Sequence, residues 1–325
     1  MDMIITHISG NDITSVVELW NRELPIDSIN KNLFISRVLL DEHFKKENVL
    51  IAKVPKETKE DNEIIGFIIG ATVNEAIYKD VDPDNIRCWI TAMAVSKKYR
   101  NMGVGKKLLT TLLNQFSASG KKECFIATYP YGYFVPGLDV KAYSSGIEFF
   151  KHFGFNENDH PLSMDANIVL LDLGEAFEQK TDKLKKDGIK VVSYEDKYIL
   201  SYLGFMRSMT YDWYRVAREN LLNLSRNIFF HDQITIAIHG EEVVGYCQFE
   251  GSHFGPFGVS EKYQGKGIGK ILLGETLKKM RMHGYHDAWV LWTDDIAAKV
   301  YSKFGFKETR RFVTLKKDLS ELKLH

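Results

Sequence analysis

The chain has 325 residues, long for one compact domain and comfortable for two, each with its own core. Its apolar fraction of 44% and aromatic fraction of 12% exclude a disordered chain. Lysine plus arginine and aspartate plus glutamate both total 43, which excludes a global basic field for nucleic acid or an anionic membrane surface.

In chain order, the start shows no basic segment followed by a long apolar one, and no run approaches a membrane span. A cytoplasmic protein is expected. Residues 3–8 suit a strand. Asn11 and Asp12 cap a predicted helix to about Leu24, with Ile13, Val16, Val17 and Trp20 on one face. A second helix is predicted over 33–44. Residues 49–54 and 63–73 read as a hairpin around the charged loop 56–62. A strand over 87–95, a helix, a strand over 123–128, a short helix over 143–152 and a last strand over 167–172 complete the first half. The second half repeats the order: strand 189–193, broken helix 195–224, hairpin 233–250, strand 253–259, helix, strand 288–292, helix 294–304 and strand 311–316. The charged, glycine-bounded stretch 174–188 reads as a linker, or equally as a short amphipathic helix. The predicted domains are 1–173 and 189–325. Cys88, Cys124 and Cys247 are odd in number, lack metal-ligand spacing and suit a reduced interior.

The most informative feature is a repeat at an offset of 164 residues. Residues 259–270, VSEKYQGKGIGK, answer to 95–106, VSKKYRNMGVGK. Each copy follows an apolar strand and opens an amphipathic helix. A helix start offers unpaired N–H groups and partial positive charge, and glycines let the chain close around an anion. The candidate anion contacts are Gln264, Gly265, Lys266, Gly267, Ile268, Gly269 and Lys270, with Arg100, Gly103, Val104, Gly105 and Lys106 in the first copy; Val259 and Val95 end the strands before them. A P-loop is excluded, because Gln264 and Arg100 stand at its first glycine and Ile271 and Lys107 at its hydroxyl position. The dinucleotide pattern fails at Leu272 and Leu108, where its third glycine belongs.

The pattern Q/R-x-x-G-x-G/A, present as Gln264-Gly267-Gly269 and Arg100-Gly103-Gly105, resembles the acyl-CoA-binding motif of the GNAT acetyltransferase superfamily. The segment 294–306, DDIAAKVYSKFGF, is similar to that family's helix ending in tyrosine and Gly-Phe, with Asp294 where asparagine is usual. In the first half, 146–155 ends the same way with Phe150 in the place of Tyr301. The resemblance implies an α/β (α+β mixed) fold of two tandem GNAT-like domains, each a mostly antiparallel central sheet flanked by helices. It further implies acetyl-CoA as co-substrate, no metal, and direct acetyl transfer to an amine. Tyr301 inherits the role of acid toward the departing thiolate, and His253, in the register of the family's base, that of proton acceptor; Glu250 and Asp295 are rivals. The same register places Trp89 and Phe150 in the first domain, neither able to exchange a proton. That domain is therefore expected to be catalytically degenerate, with Tyr143 as the residue able to restore it.

The expected acceptor is a small-molecule amine, with no nucleic-acid or membrane partner, and the chain a monomer or homodimer. An acyltransferase for a protein or peptide amine, or a non-catalytic CoA-binding sensor or scaffold, are the alternatives. The aromatic insertion 129–139 is expected to pack against the other domain rather than line a cleft. In 206–220, Met209, Tyr211, Trp213 and Tyr214 are read mainly as core, with Arg207, Arg215 and Arg218 solvated.

Overall fold

The computed structural model describes residues 2–55, 62–73, 83–209 and 211–320. The loop 56–61 and the side chain of Tyr211 lie outside the described residues. The chain divides into two compact units, Met1–Pro161 with Arg311–His325, and Leu162–Arg310.

The first unit contains strands Ile4–His7 (β1), Val49–Pro55 (β2), Asn62–Ala71 (β3), Arg87–Val95 (β4), Glu123–Ile126 (β5), Leu138–Asp139 (β6) and Asn156–Asp159 (β7). Its helices are Ile13–Glu23 (α1), Lys31–Phe34 (α2), Val104–Ala118 (α3) and Ser144–His152 (α4). The predicted second helix is only one α-turn, which continues as a π-turn through Leu39. Strands β1 to β4 form an antiparallel meander, and β4 then pairs in parallel with β5. One face of this sheet buries Leu108, Leu112 and Phe116 of α3, and the other Val16, Trp20 and Phe34.

The second unit contains Leu162–Asn167 (β8), Ile189–Ser193 (β9), Ile234–His239 (β10), Glu242–Glu250 (β11), His253–Val259 (β12) and Asp287–Thr293 (β13). Its helices are Glu175–Lys186 (α5), Ile199–Met209 (α6), Tyr211–Ser225 (α7), Ile268–Met282 (α8) and Asp295–Tyr301 (α9). The sheet runs β9-β10-β11-β12-β13-β8, antiparallel except at the β12–β13 pair. Leu272 and Leu277 of α8 cover one face, and Tyr202 and Met206 of α6 the other.

Two expectations about organisation are corrected. The closing strand of the first half is not 167–172; instead β8 begins the second unit and pairs antiparallel with β13, from Asp287 with Asn167 to Thr293 with Leu162. The chain's last strand, Lys307–Asp318 (β14), completes the first unit from Arg311 onward, pairing with β5 from Leu315 with Ile126 to Asp318 with Glu123. β8 alternates apolar and polar residues, whereas β14 carries a buried run at Phe312, Val313, Thr314 and Leu315; both can line a core, and local pattern does not say which sheet receives which. Of the two readings of 174–188, the structure has the amphipathic helix, α5. Phe177 and Leu184, seven residues apart on α5, are buried in the second unit's core. Glu175 and Glu178 in its first turn and Lys183, Lys185 and Lys186 in its last oppose the helix dipole. A Cβ on Gly274 of α8 would lie 2.3 Å from the Phe177 ring, so glycine there admits the helix.

Candidate active site

The two glycine turns have nearly the same backbone. Ser96 and Ser260 have φ −50°, and Arg100 and Gln264 have φ −67° and −63°. Gly103 and Gly267 are left-handed at φ 83° and 85°. The position two residues earlier is also left-handed, at Asn101 with φ 63° and Gly265 with φ 76°. Asparagine is among the few side-chain-bearing residues that tolerate this conformation, so the first copy keeps the turn without that glycine.

The first letter of the motif has a mechanical cause. Arg100 Nε donates to the Val95 carbonyl at 3.2 Å, and Gln264 Nε2 donates to the Val259 carbonyl at 3.2 Å. Arginine and glutamine each place an N–H where it ties the turn to the strand end. Tyr99 and Tyr263 brace the turns from below, their hydroxyls donating to Glu63 at 2.9 Å and to Glu242 at 3.3 Å. Beyond each turn, α3 and α8 start at Gly103 and Gly267 with no side-chain cap. Their first N–H groups are thereby presented to an anion, which suits a pyrophosphate. Val104 and Ile268 are buried anchors, while Gly105 and Gly269 lie against Phe149 and Phe257.

Charge around the turns differs. Arg100 donates to Glu23 Oε2 at 2.7 Å, so a carboxylate offsets its charge, and Lys106 is exposed. Near the second turn stand Lys270 and Lys266, the latter 4.8 Å from the Tyr263 ring centre. A further cation was not legible from sequence: Lys180 of α5 lies over the turn, its Cε 2.3 Å from where a Cβ of Gly267 would be. Only the docking of α5 brings it there.

The parallel strands of each unit separate. In the first, β4 and β5 pair from Arg87–Glu123 to Ile90–Ile126, after which Ala127 and Thr128 adopt positive φ of 65° and 37°. Beyond that point lies a cavity of about 580 Å³, lined by the outer half of β4, the turn at Arg100–Gly103, the start of α4 and the end of α1. Phe134 of the aromatic insertion lines it and packs on Trp20 at 4.8 Å between ring centres. The insertion therefore serves the cleft of its own unit, contrary to expectation. Trp89 is buried against Tyr129, 5.4 Å between ring centres, and Phe150 is buried.

In the second unit, β12 and β13 pair only at His253–Trp289. Tyr301 ends α9 and is 4% exposed, its ring 5.1 Å from Phe254, 5.7 Å from Phe257 and 5.9 Å from Phe306. Burial pushes its phenol well up, with the Cys247 thiol adding to the rise and the Thr293 hydroxyl opposing it. It stays protonated throughout the physiological range. His253 packs 4.4 Å from the Trp289 ring, and burial lowers it to about 4. Such an imidazole holds a proton too weakly to draw one from an ammonium, which argues against the base role. Glu250 faces His253 across β11–β12, and Asp295 is exposed in the first turn of α9. Trp213 and Met209 pack on Gly258 of β12, as core residues do.

The Gly-Phe ending of both terminal helices is a helix stop. Gly154 and Gly305 are left-handed at 81° and 86°, and the next N–H returns to the carbonyl of Phe150 at 3.2 Å and of Tyr301 at 3.4 Å. At the other end the two helices differ. Asp294 caps α9 by accepting from Ile296 and Ala297 N–H, whereas Tyr143 at the equivalent place makes no cap.

Among the described residues, no group of three or more histidine, cysteine or acidic side chains is placed to hold a metal, and no helix is long and apolar enough to cross a membrane.

A mostly antiparallel sheet that opens at one parallel pair, with an uncapped helix start at the opening, is the architecture of a CoA-dependent acetyltransferase. Residues 14–132 match the acetyltransferase (GNAT) family and residues 230–308 the acetyltransferase (GNAT) domain. The chain belongs to the GNAT acetyltransferases and carries two such domains in tandem. None of the curated proteins compared matches it.

Among solved structures it resembles the GCN5-related glucosamine N-acetyltransferase region of a fungal multi-domain GH3 β-N-acetylglucosaminidase, with TM-score 0.76 and 15% identity. That match covers 97% of this chain and 38% of the fungal protein, so the chain spans well under half of that relative. A GCN5-related N-acetyltransferase from Sphaerobacter thermophilus is similar at TM-score 0.64 and 14% identity, over 98% and 96% of the two chains. A tandem GNAT protein from the clavulanic acid biosynthesis pathway matches at TM-score 0.60 and 12% identity, over 99% and 100%. These likenesses concern the fold.

Proposed function

We propose that the protein transfers the acetyl group of acetyl-CoA directly to the amine of a small molecule, as a cytoplasmic enzyme. The observation that carries this reading is the pair of matching turns, each an uncapped helix start beside separated parallel strands. Such a start binds the pyrophosphate through main-chain N–H groups, with Lys106 or Lys180, Lys266 and Lys270 supplying charge. The separated strands leave their main chain to grip the pantetheine arm and to polarise the thioester carbonyl. The neutral amine nitrogen attacks the carbonyl carbon, the C–S bond breaks, the nitrogen gives its extra proton to solvent, and CoA leaves as a thiolate. In the second domain Tyr301 is the hydroxyl suited to protonate that sulfur, being neutral and enclosed by aromatic rings.

The test is a thiol-release assay with acetyl-CoA and a panel of amines, glucosamine included, beside calorimetry with CoA. Turnover of a small amine and two binding events per chain are expected. Heat of CoA binding without any released thiol would favour a sensor, and no binding would end the acyl-transfer reading.

A further inference from the structure

The end of β13 carries a hydroxyl that packing alone does not require. Thr293 is 6% exposed, and its Oγ1 is sealed from water with no hydrogen bond to any described residue. A buried hydroxyl without a partner costs the fold stability, and a methyl of the same shape would avoid that cost. Its direction is not the default either. From Val290 to Thr293 β13 advances three residues, while β8 advances two, from Met164 to Leu162. The extra residue is a bulge, and it turns Thr293 onto the face that it would otherwise leave. Val290 and Leu162 on that face share one core with Tyr301.

The Thr293 hydroxyl thereby stands beside that of Tyr301. Burial raises the Tyr301 phenol, Cys247 adds to the rise, the Thr293 hydroxyl opposes it, and Asp294 adds again. Neither titratable neighbour can serve a phenolate. The Cys247 thiol is itself pushed up by burial to about 12 and donates to the Gln248 carbonyl at 3.9 Å. The Asp294 side chain accepts from the Ile296 and Ala297 N–H groups. In the first unit Phe150 stands in the place of Tyr301, and Ala142, just before Tyr143, in that of Thr293. Both hydroxyls are missing there together.

An acid toward sulfur needs such a neighbour. A free thiol ionises at about 8.5 and a phenol at about 10, so proton transfer from phenol to thiolate runs uphill, and burial steepens it. We propose that Thr293 is the positioning residue of this acid, its O–H fixing the Tyr301 oxygen and donating to it. As the Tyr301 O–H bond breaks, an S–H bond forms on the departing CoA and a phenolate is left. Thr293 donates to that phenolate while keeping its own proton, and solvent then returns a proton to Tyr301. The inference rests on the acyl-transfer reading, in which Tyr301 protonates the CoA sulfur.

The full chain, saturated with CoA, is titrated with pH while the ultraviolet absorbance of the CoA thiolate is followed, with the desulfo-CoA complex as blank. CoA held at the first turn adds the same signal to every variant. Thr293→Val raises the pH at which the bound thiol is half ionised by about one unit, because the Tyr301 O–H then donates less strongly to sulfur. Tyr301→Phe raises it at least as far, and Thr293→Val adds nothing to that variant. Thr293→Ser restores the wild-type titration. CoA affinity stays within about twofold throughout, and the urea midpoint of Thr293→Val is no lower than that of wild type. An unchanged titration in Thr293→Val overturns the proposal, as does a shift that persists in the Tyr301→Phe background. A lowered urea midpoint together with weakened CoA binding marks a structural role and overturns it too. If Thr293→Val does not fold, Thr293→Ala decides by the same shift. A wild-type chain that binds no CoA sinks the acyl-transfer reading together with this inference, whereas bound CoA without the shift sinks the inference alone.

Discussion

Gln264 and Arg100 perform one task with different chemistry, each tying its turn to the preceding strand by an N–H bond of 3.2 Å. Gly267 is less replaceable, since its left-handed backbone is strained for any residue with a Cβ, at a cost of roughly 1–2 kcal/mol. Gly267→Ala is expected to weaken CoA binding at the second turn about tenfold, read by calorimetry, while Gly265→Asn, which copies Asn101, leaves it nearly unchanged. Tyr301→Phe is expected to lower kcat by about 10²-fold with little change in KM for acetyl-CoA, as loss of a general acid does. His253 yields a pH prediction. Between pH 6.5 and about 4 the unfolded chain holds a proton on this imidazole that the folded chain does not. Stability therefore rises with pH across that window and is lost as pH falls through it, by an amount on the order of 3 kcal/mol. Urea unfolding of His253→Phe is expected to lose that part of the slope; an unchanged slope would contradict the burial assigned to the ring.

Among the elements, α5 settles a stretch whose sequence reading was open between linker and helix. Its composition is that of a linker, but Phe177 and Leu184 share one face and enter the core against Gly274. Phe177→Ala is expected to destabilise the second unit by about 3–5 kcal/mol, measured by denaturant unfolding of residues 162–310. Lys180→Ala is expected to weaken CoA at the second turn severalfold while leaving stability within about 0.5 kcal/mol. A tighter CoA complex in that variant would mean that the lysine obstructs the turn. The turns themselves were legible because glycine, lysine and the strand-helix boundary all lie within twelve adjacent residues. Lys180 was not, since it reaches its site from a distant segment and carries no local signature.

For the molecule as a whole, the closing strands decide what can fold alone. Val313, Leu315 and Leu319 belong to the first unit's core, although they lie beyond the second domain in sequence. A chain ending at Arg310 is expected to lose the first unit's cooperative unfolding and its protection from limited proteolysis, while residues 162–310 keep both. Residues 1–173, the first domain as the sequence suggests it, are expected not to fold without residues 311–320. A stable 1–173 fragment with native-like spectra would refute this assignment of β14.

The family, the duplication and both glycine turns could be read from the residues themselves, because strand, turn and helix there follow from short-range sterics and hydrogen bonding. Folding in space settled the rest: which sheet receives each closing strand, that α5 joins a core, and that Asp27, in the turn after α1, meets a tyrosine 116 residues later. Those outcomes depend on long-range burial, where several segments satisfy the same local pattern and only the competition among them for one apolar surface selects the partner.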